Sequence, residues 1–358
     1  MSSAAKSPQP ERRAPERASE ERARIEKEAS PGARSAGGGV PGALKRVSLL
    51  LRIAVSIGLI ALMVAKLDTG NMLRFIRRAD IALVAATLLA VLADRALMAL
   101  RWMKLVEALG VEAPRSKLIK IFFLSTFFGS FLPSGVGGEA VRAISFSRLT
   151  SKGIESVASV AVDRLIGLLS MLLTGLFSLT VFYEVYPHPA LLYLVLGGSL
   201  LLLAFLGAAL ARPLRAWMVA KSGSGRSRLA GWIQRGGDAM DRYREKPEVL
   251  LLVLAISIGV QLLRILQAYL LSEAMGLGTA AVYFLCFIPP ILVLTMLPIS
   301  VGGWGTANLA YVALFSRVGM DPDGAFALSV LILGLGVVGN LPGGLIYALE
   351  GFASTREA

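Results

Sequence analysis

Two short proline- and glycine-containing motifs interrupt otherwise apolar segments of this 358-residue chain. The first reads FLPSGVGGEAVR and begins at Phe131, and the second reads LPISVGGWGT and begins at Leu297. Proline cannot continue a helix, and glycine permits a sharp reversal of the backbone. A helix that starts after such a reversal exposes unpaired N–H groups and a partial positive charge, which can hold an anion such as phosphate. The chemistry that these motifs indicate is anion binding.

Ionisable residues near the first motif add to that chemistry. Arg142 lies one helical turn past the glycines, and Glu139 can pair with it or contact a cationic headgroup. Asp163 and Arg164 lie in an apolar stretch, where an ionised side chain costs about 2.5–3.5 kcal/mol. Neighbours on a helix point about 100° apart, so these two are not expected to neutralise each other. Three roles are open for them: lipid binding or gating, a structural clamp to Glu139 or Arg142, and snorkelling to the interface.

The second half offers a matching set of polar residues. Arg264 lies between Gln261 and Gln267 on one polar helix face, and Asp94 and Arg95 mark the corresponding helix of the first half. Arg101 and Lys104 are interpreted as ordinary cytoplasmic anchors, and Arg142 is expected to approach the Asp163–Arg164 pair. The predicted lipid-binding or translocation site comprises Pro133, Gly137, Gly138, Glu139, Arg142, Asp163, Arg164, Arg264, Pro298, Gly302, Gly303 and Asn308.

Composition indicates the elements that must position these residues. Hydrophobic residues make up 55% of the chain and charged ones 17%, and several apolar windows are long enough to cross a hydrocarbon core of about 30 Å. An all-α polytopic membrane protein is predicted. Its formal charge of +13 is assigned to basic cytoplasmic loops rather than to nucleic-acid binding. With one cysteine, Cys286, and one histidine, His188, no metal or cofactor site is expected.

About six spanning helices and two re-entrant hairpins are predicted, since the apolar segment before each glycine motif is short. The spans are placed at 47–65, 81–103, 165–183, 190–211, 249–275 and 325–349. The predicted organisation is a disordered tail over 1–43, a membrane domain over 44–350 with repeats at about 81–185 and 249–350, a linker over 212–247, and a tail over 351–358.

The two halves are related by an internal repeat. EALG before the first motif resembles EAMG before the second, 166 positions later, and FSR follows both motifs at Phe146 and Phe315. When the membrane crossings are counted from the N-terminus, the helix before EALG and the helix before EAMG run in opposite directions. This predicts an inverted repeat of the kind that many secondary transporters use. The alternative is that the glycines only allow close helix packing.

Loop charges predict the orientation of the chain. The N-terminal tail and the segment 212–246 are strongly basic, whereas the connections 183–189 and 276–280 contain no Lys or Arg. This pattern predicts an inner (plasma) membrane protein with both termini in the cytoplasm. The basic segment NMLRFIRRAD at 71–80 is the exception, and it is interpreted as an amphipathic helix along the membrane interface.

FLPSGVGGEAVR, the following AVDRLIGL at 161–168 and the later LPISVGGWG together resemble the lysylphosphatidylglycerol synthase transmembrane-region family over about 44–350. The family includes the flippase half of proteins that make and translocate aminoacylated phosphatidylglycerol, and stand-alone members linked to hopanoid or glycolipid pathways. The resemblance implies a stand-alone member without the aminoacyl-transferase domain, and therefore no enzyme activity. Where family members often place a glutamate after the second motif, this chain has Asn308.

The resemblance and the repeat together favour a lipid transporter or flippase, whose partner is an anionic phospholipid or glycolipid. The alternative is a non-catalytic membrane subunit of a glycolipid, hopanoid or aminoacyl-lipid synthesis system, with a lipid-synthesis enzyme as partner. A purely structural scaffold is a third reading, and it would not need paired broken helices.

Overall fold

The described part of the chain is helical. The structure, a computed structural model, describes residues 57–58, 61–62, 68–131, 137–184, 228–296 and 300–354, with residues 193, 196–198, 200–201 and 204. Among these residues there is no strand. Four helical segments are long and apolar enough to cross a membrane, namely Ile81–Ala108, Gly153–Val181, Pro247–Ala274 and Pro322–Leu349. The prediction of an all-α polytopic membrane protein is confirmed. The predicted spans at 47–65 and 190–211 and the tail at 1–43 fall almost entirely outside the described residues.

Each half of the chain contains the same order of helices. The first half comprises α1 (Thr69–Arg78), α2 (Ile81–Ala108), α3 (Arg115–Phe131), α4 (Gly137–Thr150) and α5 (Gly153–Val181). The second half comprises α6 (Arg228–Arg244), α7 (Pro247–Ala274), α8 (Ala281–Met296), α9 (Thr306–Phe315) with a 3₁₀ turn at Ser316–Val318, α10 (Pro322–Val338) and α11 (Leu341–Ser354). The last long element of the second half is thus divided at Gly339 and Asn340, whereas its equivalent α5 is continuous.

The EAxG sequences end the two long helices. Gly110 and Gly276 follow α2 and α7 with φ angles of 65° and 67°, a left-handed conformation that glycine adopts without a steric penalty. In both cases the glycine N–H donates to the carbonyl of the glutamate three residues earlier. The repeated EAxG is therefore a repeated helix stop.

The long helices α2 and α7 pack antiparallel. Arg264 contacts Asp94, Gln267 donates to the carbonyl of Ala90, and Arg101 donates to Ser257. Residues later in α2 therefore contact residues earlier in α7. Since the two helices hold equivalent positions in the repeat, the predicted inversion of the two halves is confirmed.

The residue just before each long helix donates a hydrogen bond to a carbonyl at the end of the other long helix. The N–H of Asp80 donates to the carbonyl of Ala274 over 2.8 Å, and at the equivalent positions Nζ of Lys246 donates to the carbonyl of Ala108 over 3.0 Å. The hydroxyl of Tyr243 donates to the carbonyl of Leu105, and burial, then the nearby Asp163 charge, raise the pKa of that hydroxyl. The carbonyl of Ala108, in the last turn of α2, thereby gains a partner from the segment before α7.

The short helices form the two predicted hairpins. At 17 and 16 residues, α3 and α8 are about 26 and 24 Å long at 1.5 Å per residue. Both are shorter than the hydrocarbon core of about 30 Å. Helix α3 packs on α4, and α8 on α9. Equivalent contacts also recur outside the hairpins. Helix α11 packs on α3, and at the equivalent place α5 packs on α8.

The FSR sequences anchor the hairpins in two separate cores. Phe146 and Phe315 are both fully buried. The ring of Phe146 meets Trp102 edge-on at 5.4 Å, and Phe315 packs against Phe284 and Phe287. Burying one such ring stabilises the fold by about 1.5–3 kcal/mol, so the repeated phenylalanine holds each returning helix in place.

The segment interpreted as an interfacial helix is α1. The side chain of Asp68 caps it by accepting from the N–H groups of Gly70 and Asn71. Helix α1 packs on α10, and at the equivalent place in the first half α6 packs on α5. A short polar helix therefore precedes the long helix in each half.

Candidate functional site

A cavity of about 400 Å³ lies between the two hairpins. It is lined by α2, α3 and α4 from the first half and by α7, α8, α9 and the α10–α11 region from the second. Its polar and charged lining residues are Asp94, Arg95, Ser125, Thr126, Ser130, Glu139, Arg142, Arg264, Gln267, Trp304, Tyr311 and Asn340.

The cavity lies where the two halves meet, and equivalent residues face it. Phe122 and Ile288 are 166 positions apart, as are Met98 and Arg264, and all four line the cavity. Arg142 and Tyr311 each precede the phenylalanine of FSR by four residues and also line it. The site is therefore shared between the inverted halves rather than built inside one of them.

A buried Arg–Asp–Arg cluster stands behind the first hairpin. Asp163 on α5 accepts from Nε of Arg101 at 2.7 Å and pairs with Arg142 at 3.1 Å. All three residues are no more than 5% exposed. The expected approach of Arg142 to Asp163 is confirmed. The interpretation of Arg101 as a cytoplasmic anchor is wrong, because Asp163 needs a cation in this apolar surrounding and Arg101 supplies it. Lys104 pairs at the surface with Glu107.

Arg142 is held in a fixed position at the cavity wall. Its guanidinium lies over the rings of Trp102 and Phe122, 5.3 and 5.5 Å from their centres, an arrangement that attracts a cation to the ring faces. Its Nε is buried and has no hydrogen-bond partner among the described residues. A buried donor without an acceptor costs about 1–3 kcal/mol, and Arg142 itself is a residue of the cavity lining.

The neighbouring charges of Glu139 and Arg164 pair with each other. Asp163 and Arg164 therefore turn to different partners, as the 100° rotation between them predicts. Of the three roles open for this pair, the contacts correspond to the structural clamp, since Asp163 holds Arg142 and Arg164 holds Glu139. Glu139 and Arg142 line the cavity themselves.

A second Arg–Asp–Arg cluster joins the two long helices. Asp94 accepts from Nη1 of Arg95 at 2.6 Å and from Nε of Arg264 at 3.1 Å. Nε of Arg95 donates to the side-chain oxygen of Asn340 at 2.8 Å, and the Asn340 amide donates to Ser130 at 2.7 Å. The break between α10 and α11 thus places Asn340 between the second cluster and the first hairpin.

The polar contacts of the two halves have diverged at equivalent positions. Gln261 lies 166 positions after Arg95, and its amide donates to Ser170, whose place in α5 corresponds to Asn340 once the four extra residues of the second half are counted. One half therefore uses an arginine and an asparagine where the other uses a glutamine and a serine. The charged contact faces the cavity and the neutral one does not.

The paired glycines differ in conformation and role. Gly138 is helical, and a Cβ there would lie 2.5 Å from the carbonyl oxygen of Ser125 and 2.9 Å from Cα of Gly129, so the close-packing alternative accounts for this glycine. Gly302 and Gly303 have φ angles of 58° and 83° and form the turn itself. Helix α4 begins at Gly137 and α9 only at Thr306, whereas the sequence suggested starts directly after each glycine pair.

Asn308 completes the second turn from inside the protein. It is fully buried, its side-chain oxygen accepts from the N–H of Gly305, and its amide donates to Ser329. It is not part of the described cavity lining. Pro133 and Pro298, the other predicted site residues of the two motifs, lie outside the described residues.

Comparison with known proteins finds membrane proteins of similar sequence. The model of the "Lysylphosphatidylglycerol synthase TM region" family matches residues 49–343. A "UPF0104 membrane protein" of Methanothermobacter thermautotrophicus is 24% identical over 259 residues, which cover 66% of this chain and 74% of that protein. A "UPF0104 membrane protein" of Pyrococcus horikoshii is 27% identical over 165 residues, which cover 44% of this chain and 47% of that protein.

Proposed function

Because the chain belongs to the lysylphosphatidylglycerol synthase transmembrane-region family, we propose that it is a lipid transporter of the flippase type. A lipid headgroup enters the cavity between the α3–α4 and α8–α9 hairpins while its acyl chains stay in the bilayer. The observation that carries this proposal is a charged cavity shared by two inverted halves of a membrane domain, with arginines from both halves on its wall.

The size and chemistry of the cavity support a headgroup as ligand. Ligand sites commonly measure about 300–1,000 Å³ and combine apolar walls with a few fixed polar groups, and this cavity holds about 400 Å³. Arg142, which carries a guanidinium group, lines the cavity. A phosphate oxygen is a strong acceptor for such a group.

The arginines supply most of the attraction for an anion. A helix start contributes about 0.3–1 kcal/mol at exposed sites and up to about 2 kcal/mol when partly buried. At the start of α4 this contribution is shared with Glu139, an acidic residue in the first turn. We therefore propose that Arg142, Arg95 and Arg264 bind the headgroup. The glycines of the two motifs are proposed to let the hairpins approach it closely.

Movement of one half against the other would carry the headgroup across. Inverted-repeat transporters alternate by rocking their halves around a site near the middle of the membrane. We propose that the protein lies in the inner (plasma) membrane with both termini cytoplasmic, since the N-terminal tail and the segment 212–246 are strongly basic. No catalytic role is proposed, and a lipid-synthesis enzyme is the proposed protein partner.

Lipid scrambling in proteoliposomes tests the function. Full-length protein is reconstituted in phosphatidylcholine vesicles with NBD-labelled phosphatidylglycerol, phosphatidic acid or phosphatidylethanolamine, and dithionite then bleaches the label in the outer leaflet. Wild type should expose inner-leaflet label that protein-free vesicles protect. Arg264→Gln should slow this, while Arg148→Gln, an exposed arginine of α4, should not.

Two results would contradict the proposal. Wild type that moves none of the three lipids, or an Arg264→Gln variant as fast as Arg148→Gln, removes the flippase assignment. The non-catalytic membrane subunit of a lipid-synthesis system then takes its place, and co-purification with a synthase becomes the next measurement.

A further inference from the structure

Two charged clusters of the same composition leave a surplus of positive charge beside the cavity. The hairpin cluster consists of Arg101, Asp163 and Arg142. Its one carboxylate forms ion pairs with two guanidinium groups. Its formal charge is therefore +1. Its three members are 4%, 2% and 5% exposed, so water does little to screen that charge.

The interhelix cluster, formed by Asp94, Arg95 and Arg264, repeats this arrangement in the cavity lining. Asp94 forms ion pairs with both Arg95 and Arg264, which again leaves a formal charge of +1. Asp94 is 2% exposed, and the two arginine side chains are 16% and 21% exposed. All three residues line the cavity.

Other charges beside the cavity do not remove the surplus. Glu139 and Arg164 form a balanced pair. The hairpin residues 132–136 and 297–299, which lie outside the described part of the chain, contain no ionisable side chain. The described clusters therefore leave a formal surplus of two positive charges around one cavity.

A surplus of this kind is costly inside a membrane domain. Buried charges usually have partners, and removing one partner of a buried pair is strongly destabilising. Arginine cannot relieve the cost by losing its proton.

We infer that the lipid of this site carries two negative charges on phosphate, as a phosphate monoester or a diphosphate. Phosphatidic acid and polyprenyl phosphates or diphosphates belong to this class. A phosphate monoester carries about −1.5 to −2 near pH 7, which balances both clusters, whereas a phosphodiester balances one and a zwitterionic headgroup adds an ammonium to a site already positive. This inference rests on the proposed function and names its substrate class.

The test compares two lipids that differ only in phosphate charge. Full-length protein in nanodiscs of phosphatidylcholine is titrated with dioctanoyl phosphatidic acid or dioctanoyl phosphatidylmethanol, the methyl ester of the same phosphate, at about pH 8, where the monoester is largely dianionic. Binding is read by native mass spectrometry. Phosphatidic acid should bind at least about tenfold more tightly, a difference of about 1.4 kcal/mol.

Variants test whether the clusters cause this preference. Arg264→Gln removes the surplus of the interhelix cluster and should reduce the preference to about threefold or less, a change of about 0.7 kcal/mol, while Arg148→Gln should keep it. Glycerol 3-phosphate, which has the same headgroup without acyl chains, should not displace phosphatidic acid at equal concentration.

Each outcome bears on a defined part of the inference. Equal binding of the two lipids overturns the dianion assignment, and if scrambling still occurs the proposed function stands without it. Displacement by glycerol 3-phosphate would assign the site to a soluble phosphate instead of a lipid. If no lipid binds and none is scrambled, both the inference and the proposed function fall.

Discussion

Placing a methyl group on Gly138 should separate the two helices of the first hairpin. In Gly138→Ala the new Cβ would meet the Ser125 carbonyl oxygen at 2.5 Å and Cα of Gly129 at 2.9 Å, where ordinary contacts start at 3.4 Å. The obstructing atoms are backbone and cannot rotate away. Helices α3 and α4 must therefore move apart by about 0.9 Å, the difference between 3.4 and 2.5 Å.

A gap of that size has a predictable cost. Separation by 0.5–1 Å forfeits about a quarter to a half of the dispersion attraction between packed atoms, and overpacked sites typically lose about 1–3 kcal/mol. We expect Gly138→Ala to lower the free energy of unfolding by that amount, although alanine is the better helix former.

The matched control is Gly259→Ala in the long helix α7. A Cβ at Gly259 would meet nothing within 4 Å, so the same substitution should leave stability unchanged or raise it by up to about 1 kcal/mol. Unfolding of both purified variants by SDS titration in the same mixed micelles measures the difference. Equal stabilities for the two variants would refute the close-packing account of Gly138.

Two further substitutions test contacts that hold the site. Arg101→Gln removes the buried hydrogen bonds that Arg101 donates to Asp163 and Ser257 and should cost about 1–3 kcal/mol. Lys104→Gln at the surface should cost at most about 1 kcal/mol, and equal costs in SDS unfolding would count against the buried cluster. Asn308→Leu removes the acceptor for a turn N–H and should cost about 1–3 kcal/mol in the same titration, whereas Asn308→Asp, which keeps that acceptor, should recover part of the loss.

The repeat was readable from the sequence because its signals are local. EAxG, the glycine pairs and FSR recur at nearly constant spacing, and each marks a helix end, a hairpin or a core ring that the structure contains. The inversion followed from the direction of the crossings between them. The division of the last span was equally readable, since GNLPGG at 339–344 contains a proline and three glycines, but its apolar surroundings outweighed that signal.

Contacts between distant residues could not be read in the same way. Arg101 lies near Lys104 in a basic stretch that resembles a membrane anchor, and its partner Asp163 is 62 positions away. The isolated carboxylate was the usable signal, because a buried aspartate requires a cation. Asn340 carried no such signal, since its partners Arg95 and Ser130 lie in the other half.

The mutual closure of α2 and α7 has a consequence for biosynthesis. The end of α2 is capped by Lys246, which the ribosome adds 138 residues after Ala108, and the end of α7 is capped by Asp80 from a segment made long before. The first half can therefore gain this contact only after the start of α7 has been inserted beside it. When the two halves are expressed as separate chains, they should accumulate only when both are present, because each half supplies a hydrogen-bond donor to the end of the long helix of the other half.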